Sequence, residues 1–168
     1  ANYVISEKLG FLYVEKCENE YWFVVPDEIK EVYNELIKSG FSDAKEFADL
    51  IHQYAQAAVN LYGVIPQREL VEIFNSQNVQ KTDVDINFNV YMKHIYLDAE
   101  YCLWEEYVVH ENFEDDDFES VRELIRDIAN KPRYIPEKTE FLRYAHRNYY
   151  ENTKQLIDLS KFLINKCG

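Results

Sequence analysis

The apolar residues of this chain follow strand and helix periods in successive segments. Two β-rich runs, residues 11–16 and 21–25, flank a polar turn and predict a first hairpin. An aliphatic residue, a proline and then an amphipathic run recur at Pro26, Pro66 and Pro136. Proline at the first helical position loses no intrahelical hydrogen bond, and its fixed φ suits the first turn. Each proline therefore predicts a helix start.

A longer helix is predicted after Ser42, a residue suited to cap it. Its apolar residues fall at offsets 0, 3, 4, 7, 11 and 14 and form one stripe, namely Phe47, Leu50, Ile51, Tyr54, Ala58 and Leu61. We expect Gly63 to end this helix in the left-handed conformation. Because only two residues separate Gly63 from Pro66, the helices on either side should turn sharply against each other.

The apolar residues in 82–95 fit both the period of a strand and that of a helix. The strand pattern comprises Val84, Ile86, Phe88, Val90 and Met92, and the helix pattern, capped by Thr82, comprises Val84, Phe88, Tyr91 and Ile95. Residues 101–104 and 107–110 predict a second hairpin around an acidic turn. If 82–95 is helical, the order from residue 43 is helix, helix, helix, hairpin, which is the outline of a winged helix-turn-helix. That topology favours the helix.

The C-terminal part is expected to be helical. After an acidic loop, a short amphipathic helix ending near Asn130 is predicted from Val121, Leu124, Ile125 and Ile128. Residues 131–136, KPRYIP, should be extended because two prolines four apart forbid a continuing helix. From Pro136 a helical region is predicted to the end of the chain, allowing for a break near Asn148. Its predicted buried face comprises Leu156, Leu159, Phe162 and Leu163.

These elements predict an α+β, mainly helical protein with two β-hairpins, a winged-helix-like middle and a helical C-terminal part. Residues 1–40, the N-terminal hairpin and helix, are expected to form one module, which could be the end of a truncated one. Residues 41–168 are expected to form the winged-helix-like and C-terminal helical domain. With 168 residues, 47% of them apolar, the chain can bury a core. It begins without Met, which fits processing before Ala1 or a larger protein.

The net charge of −13 is unevenly distributed. Residues 82–131 hold fourteen acidic and four basic residues, whereas residues 132–168 hold four acidic and seven basic residues. Nucleic acids and anionic membranes both require a basic surface, so this balance disfavours both as partners. No apolar run reaches the length of a membrane span. The widely spaced Cys17, Cys102 and Cys167 suit free thiols in a reducing cytosol, so a cytoplasmic location is expected.

The sequence predicts no catalytic residue, cofactor or metal site. Glycines at positions 10, 40, 63 and 168 cannot form a P-loop or a dinucleotide-binding fingerprint, and no G-x-S-x-G or H-E-x-x-H motif occurs. Cys102, inside a predicted strand, is expected to be a small buried hydrophobe rather than a nucleophile. A metal-dependent enzyme built on His110, Glu111 and the acids 114–117 is a remote alternative, because acidic runs are commonly only solvated surface. We expect a non-enzymatic protein.

Four blocks of sequence carry a family resemblance, namely AAVNLYGVIPQRELVEIFNSQN, EYVVHENFEDDDF, KPRYIP and NYYENTKQL. They resemble a family of uncharacterised bacterial proteins, some of which carry a C-terminal SEC-C zinc knuckle. The resemblance covers scattered blocks between residues 50 and 160. This chain ends in KCG without a cysteine-rich knuckle, so the resemblance carries over no metal ligand. It implies a domain whose knuckle lies elsewhere or is absent.

The longest stretch without Lys or Arg, His94 to Val121, holds ten acidic residues and six interleaved aromatic residues. Opposite charge steers a partner to such a surface, and aromatic rings beside the carboxylates can anchor it. We therefore predict that a basic protein partner binds here; an ordinary solvated acidic face is the alternative. The predicted partner-binding residues are Tyr101, Trp104, Glu105, Glu106, Tyr107, Phe113, Glu114, Asp115, Asp116, Asp117 and Phe118.

Nucleic-acid binding is the alternative function. The recognition helix of the winged-helix outline would hold Asp83 and Asp85 with only Lys93, whereas reading duplex DNA takes several Arg and Lys residues. A basic C-terminal helical face is the remaining candidate for a nucleic-acid-associated regulator. It would comprise Arg133, Lys138, Arg143, Arg147, Lys154 and Lys161, whose ordinary role would be the solvated side of helices.

Overall fold

A computed structural model describes residues 3–18, 20–95 and 99–167, and it confirms the α+β, mainly helical class. The chain divides into two compact units, Ala1–Phe47 and Ala48–Gly168. The division falls within the longest helix. The domain boundary predicted at residue 40 stays a prediction.

The first unit contains the predicted hairpin and helix. Strands β1 (Tyr13–Cys17) and β2 (Glu20–Val24) pair antiparallel, and helix α2 (Asp27–Lys38) follows. Pro26 lies at the N-cap of α2, one position before the predicted one. At the N-cap, too, its missing N–H removes no intrahelical hydrogen bond. A short helix, α1 (Tyr3–Lys8), precedes the hairpin and was not predicted. The remainder of this unit is the first part of helix α3.

Helix α3 (Phe41–Tyr62) provides the centre of the core in the second unit. It begins one residue before Ser42, the predicted cap. Its fully buried side chains include three of the predicted stripe, Ile51, Tyr54 and Ala58. Gly63 ends the helix with a φ of +76°, so its predicted left-handed conformation is confirmed.

Helices α4 (Gln67–Gln77) and α5 (Val84–His94) follow, so the helical interpretation of residues 82–95 is confirmed. The cap of α5 is Asp83 rather than the predicted Thr82. The Asp83 carboxylate accepts a hydrogen bond from the Ile86 amide at 2.8 Å. The Thr82 hydroxyl donates instead to the buried Asn87 side chain at 2.6 Å. Asp83 therefore satisfies the helix end, while Thr82 satisfies a polar group in the core.

The second hairpin is confirmed as β4 (Tyr101–Trp104) and β5 (Tyr107–His110). A third strand, β3 (Val64–Pro66), pairs antiparallel with β5, which gives the sheet order β3-β5-β4. This strand is the aliphatic stretch before Pro66, which the periodicity did not predict because three residues show no period. The order from α3 to β5 is that of a winged helix with a three-stranded sheet.

The C-terminal part contains more irregular chain than predicted. A 3₁₀ helix (Glu111–Asp116) and α6 (Glu119–Ile128) come first, and the segment after α6 is not helical, as predicted from its prolines. Helix α7 (Lys138–Phe141) is a single turn that continues as a 3₁₀ helix (Leu142–Ala145). Helix α8 (Lys154–Cys167) follows after eight non-helical residues. The break allowed near Asn148 is therefore confirmed, and it spans residues 146–153.

The buried face predicted for the C-terminal helix is wrong. Leu159, Phe162 and Leu163 of α8 are 53%, 57% and 48% exposed, and Leu156 is half-buried. The period of apolar residues identifies which side of a helix is apolar. It does not establish that another element covers that side.

Within the described ranges, each helix is either too short or too polar to cross a membrane.

Candidate functional site

The tip of the β4–β5 hairpin carries two of the predicted site carboxylates. Glu105 adopts a left-handed φ of +52° and, with Glu106, connects the strands. Both side chains are exposed, and neither forms an ion pair within the described part of the chain. Trp104 and Tyr107 are paired on either side of the tip, with ring centroids 6.1 Å apart. The turn thus presents two charges between two aromatic rings.

Aromatic residues from two parts of the chain meet beneath this tip. The Trp104 ring stacks on Phe118 at 5.5 Å between centroids, with 18° between the planes. Phe113 packs with them against a small core of Val64, Cys102, Val109 and Val121. The structure therefore brings four predicted aromatic residues, Trp104, Tyr107, Phe113 and Phe118, into one cluster, and all four are partly buried.

A strained turn positions Phe118. Asp117 and Phe118 have φ values of +51° and +62°, a region that side chains other than glycine rarely occupy. The conformation lets the Phe118 amide donate to the Phe113 carbonyl at 3.3 Å. Left-handed backbone costs about 1–2 kcal/mol per residue. Stacking on Trp104 and burial in the cluster offset that cost.

One acidic residue of this turn, Glu114, lies beside a buried thiol. Glu114, Asp115 and Asp117 are exposed, whereas Cys102 is 7% exposed; the Asp116 side chain lies outside the described set. Burial, followed by the hydrogen bond and charge of Glu114, raises the pKa of Cys102 to about 12. The thiolate is the nucleophilic form of cysteine, so Cys102 is unreactive near neutral pH. Cys102 is buried in the core, as the sequence predicted.

Tyr101 does not belong to this cluster. Its side chain is 2% exposed and its hydroxyl lies 2.9 Å from the His52 Nδ1 atom. Its ring also contacts Tyr91 edge to face at 5.5 Å, and the His52 ring stacks on His94 at 3.9 Å. Tyr101 thus lies in a partly buried polar network between α3, α5 and β4. Two other residues of the acidic stretch, Tyr96 and Asp98, lie outside the described residues.

A cation also contacts the cluster. The Arg122 guanidinium lies 5.1 Å from the Trp104 ring centroid, a cation–π distance. Arg122 is not among the predicted site residues because it follows the stretch without Lys or Arg by a single position. The helical period of α6, which puts Val121 in the core and Arg122 beside it, was the signal that could have indicated the contact.

The basic C-terminal face is partly neutralised by the protein itself. Arg133 pairs with Glu69 at 2.7 Å, and Arg147 pairs with Glu100 at 3.3 Å. Lys138 donates to the Asn78 side chain. Two of the six basic residues predicted for this face are therefore paired with carboxylates of the protein, which lowers the charge available for phosphates.

No group of three or more His, Cys, Asp or Glu side chains is arranged to hold a metal ion in residues 3–18, 20–95 and 99–167. Comparisons of the chain with protein-family models, with curated proteins and with solved structures give no match. The resemblance to the SEC-C-carrying family therefore stays a prediction.

Proposed function

We propose that this protein is a non-enzymatic, cytoplasmic interaction or regulatory module that binds a basic protein partner. The binding surface is the acidic wing face, which we define as Trp104, Glu105, Glu106, Tyr107, Glu114, Asp115, Asp117 and Phe118. The observation that carries the proposal is the set of exposed carboxylates around half-buried, stacked aromatic rings.

The charge of the winged-helix elements supports a protein partner over nucleic acid. A winged helix that reads DNA places its recognition helix in the major groove, where Arg and Lys contact phosphates and bases. Here Asp83 caps α5, Asp85 lies in its first turn and Lys93 lies near its end, while the hairpin tip is Glu105 and Glu106. Phosphates would meet carboxylates at both elements. A basic protein surface would instead be attracted by them.

The aromatic rings supply the contact energy that charge alone does not. Exposed ion pairs contribute about 0–1 kcal/mol each, whereas Trp and Tyr are enriched among the residues that dominate interface energies. Trp104 already accepts the Arg122 guanidinium over its ring at 5.1 Å. An Arg or Lys side chain of the partner would use the same chemistry on Tyr107, with Glu106 beside it.

We expect neutralisation of the wing carboxylates to abolish capture of basic partners. The variant changes Glu105, Glu106, Asp115 and Asp117 to Gln or Asn, and the immobilised protein is exposed to host lysate at low and at physiological salt. Wild type should retain a set of basic proteins that decreases as salt rises, because the screening length shortens to about 8 Å at physiological ionic strength. The variant should not retain that set at either salt.

A matched control separates this site from overall charge. Changing Glu20, Glu28, Glu31 and Glu35, all exposed in the first unit, to Gln removes the same four charges elsewhere. The control should retain the same proteins as wild type. Recovery of one identical set by all three proteins would mean that the acidic wing face is only solvated surface.

A further inference from the structure

A cavity of about 340 Å³ lies where α6 ends and the extended segment begins. Leu61, Ile128 and Pro132 provide apolar walls, and Tyr62 and Tyr134 provide aromatic ones. Pockets that bind small molecules have volumes of about 300–1,000 Å³ and are mainly apolar with a few polar groups. Lys131 and Arg133 are the charged groups of this lining.

The charge of this lining is opposite to that of the protein. It has two cations and no carboxylate, in a chain whose net charge is −13. Glu69 pairs with Arg133 at 2.7 Å and compensates its charge, whereas Lys131 has no such partner among the described residues. Lys131 therefore carries the uncompensated positive charge of this lining, and the Arg133 guanidinium adds hydrogen-bond donors.

Arg133 is held rigidly in place. Its Nε donates to Glu69 at 2.7 Å, another nitrogen donates to the Val64 carbonyl at 3.4 Å, and the guanidinium lies 4.5 Å from the Tyr62 ring centroid. A guanidinium has five N–H donors, so donors remain for a ligand. The Tyr62 hydroxyl in turn donates to the Tyr134 carbonyl at 2.6 Å, which joins the two aromatic walls.

Lys131 provides the second cation at the rim. Its backbone amide donates to the Ile128 carbonyl at 2.9 Å, which fixes the turn after α6. Its side chain is exposed and has no ion-pair partner in the part of the chain that the structure describes. A second hollow of about 320 Å³ shares Ile128, Lys131 and Arg133, extends towards Tyr107, and is also lined by Glu69, the ion-pair partner of Arg133. A ligand bound at Lys131 thus has room for an elongated body.

We propose that this cavity binds a small organic carboxylate with an apolar body. The carboxylate would lie between Lys131 and Arg133, and the body would pack on Leu61, Ile128 and the Tyr62 ring. This site is separate from the acidic wing face and does not depend on its function.

The test is an NMR titration with benzoate and octanoate as probes and with the uncharged benzamide as a control, following the amides of Lys131, Arg133 and Tyr134. We expect both carboxylates to shift these amides in a saturable way, and benzamide to leave them unchanged. Lys131→Gln should weaken binding about fivefold, as expected for loss of one exposed charge. Arg126→Gln removes the same charge from an exposed position of α6 outside the cavity and should bind like wild type.

Two results would overturn the proposal. One is the absence of saturable shifts with either carboxylate, and the other is equal binding by wild type, Lys131→Gln and Arg126→Gln. Both substitutions lie at exposed positions, and an unchanged amide spectrum away from the cavity shows that each variant is folded.

Discussion

Replacing Gly63 with valine is expected to destabilise the second unit by about 2–4 kcal/mol. Two effects add at this position. Its φ of +76° is costly for a β-branched residue. A Cβ atom there would also lie 3.3 Å from Leu124 Cδ2 and 3.4 Å from Phe113 Cε2, before the two methyl groups of valine are added. Hydrogen exchange of the buried α3 amides, Ile51 to Val59, measures the loss.

Gly40 provides the matched control. Its φ is +82°, but nothing lies within 4 Å of the position that a Cβ would take. Gly40→Val should therefore show only the backbone cost, about 1–2 kcal/mol, measured at the α2 amides of its own unit. An undiminished stability of Gly63→Val would show that the turn between α3 and β3 is not left-handed. Equal losses at both glycines would show that Leu124 and Phe113 do not crowd this turn.

Phe141→Ala is expected to cost about 3–5 kcal/mol, the range for truncating a fully buried aromatic side chain. Phe141 is 0% exposed, and its ring contacts Tyr54 at 5.2 Å and Tyr62 at 6.3 Å between centroids. It anchors α7, and with it the extended segment after α6, on α3. Urea unfolding followed by circular dichroism gives the change in the free energy of unfolding.

Phe162→Ala is the comparison for Phe141→Ala, since the same ring is removed from α8, where it is 57% exposed. Its expected effect is within about 0.5 kcal/mol, as for ordinary surface substitutions. A loss as large as that of Phe141→Ala would mean that α8 is packed against the protein in solution.

Local patterns predicted most of the elements because they depend on the residues within them. The α3 stripe at Ile51, Tyr54 and Ala58 and the two hairpins follow from periods of 3.6 and 2. For residues 82–95, periodicity alone fitted both a strand and a helix, and the order of the neighbouring elements correctly favoured the helix. Asp83 was missed as a cap because Thr82 and Asp83 both suit that role, and only the buried Asn87 side chain decides which of them turns inward.

Contacts between segments that are distant in the sequence were harder to predict from it. Nothing in the sequence around Tyr101 indicates that its hydroxyl meets His52, since the two lie on different elements. Arg122 reaches Trp104 only because α6 packs under the hairpin. The apolar side of α8 was predicted correctly as a pattern, but its burial depends on a covering element that the pattern does not specify.

The most direct test of the central claim, that the acidic wing face binds a basic protein surface rather than nucleic acid, is a paired titration. A labelled, lysine-rich amphipathic peptide and a labelled DNA duplex are each titrated with wild type and with Lys93→Ala, at low and at physiological salt. We predict that the peptide binds and weakens as salt rises, that the duplex does not bind, and that Lys93→Ala changes neither result. Tighter binding of the duplex than of the peptide, with a salt slope that Lys93→Ala reduces by about one, would contradict the account.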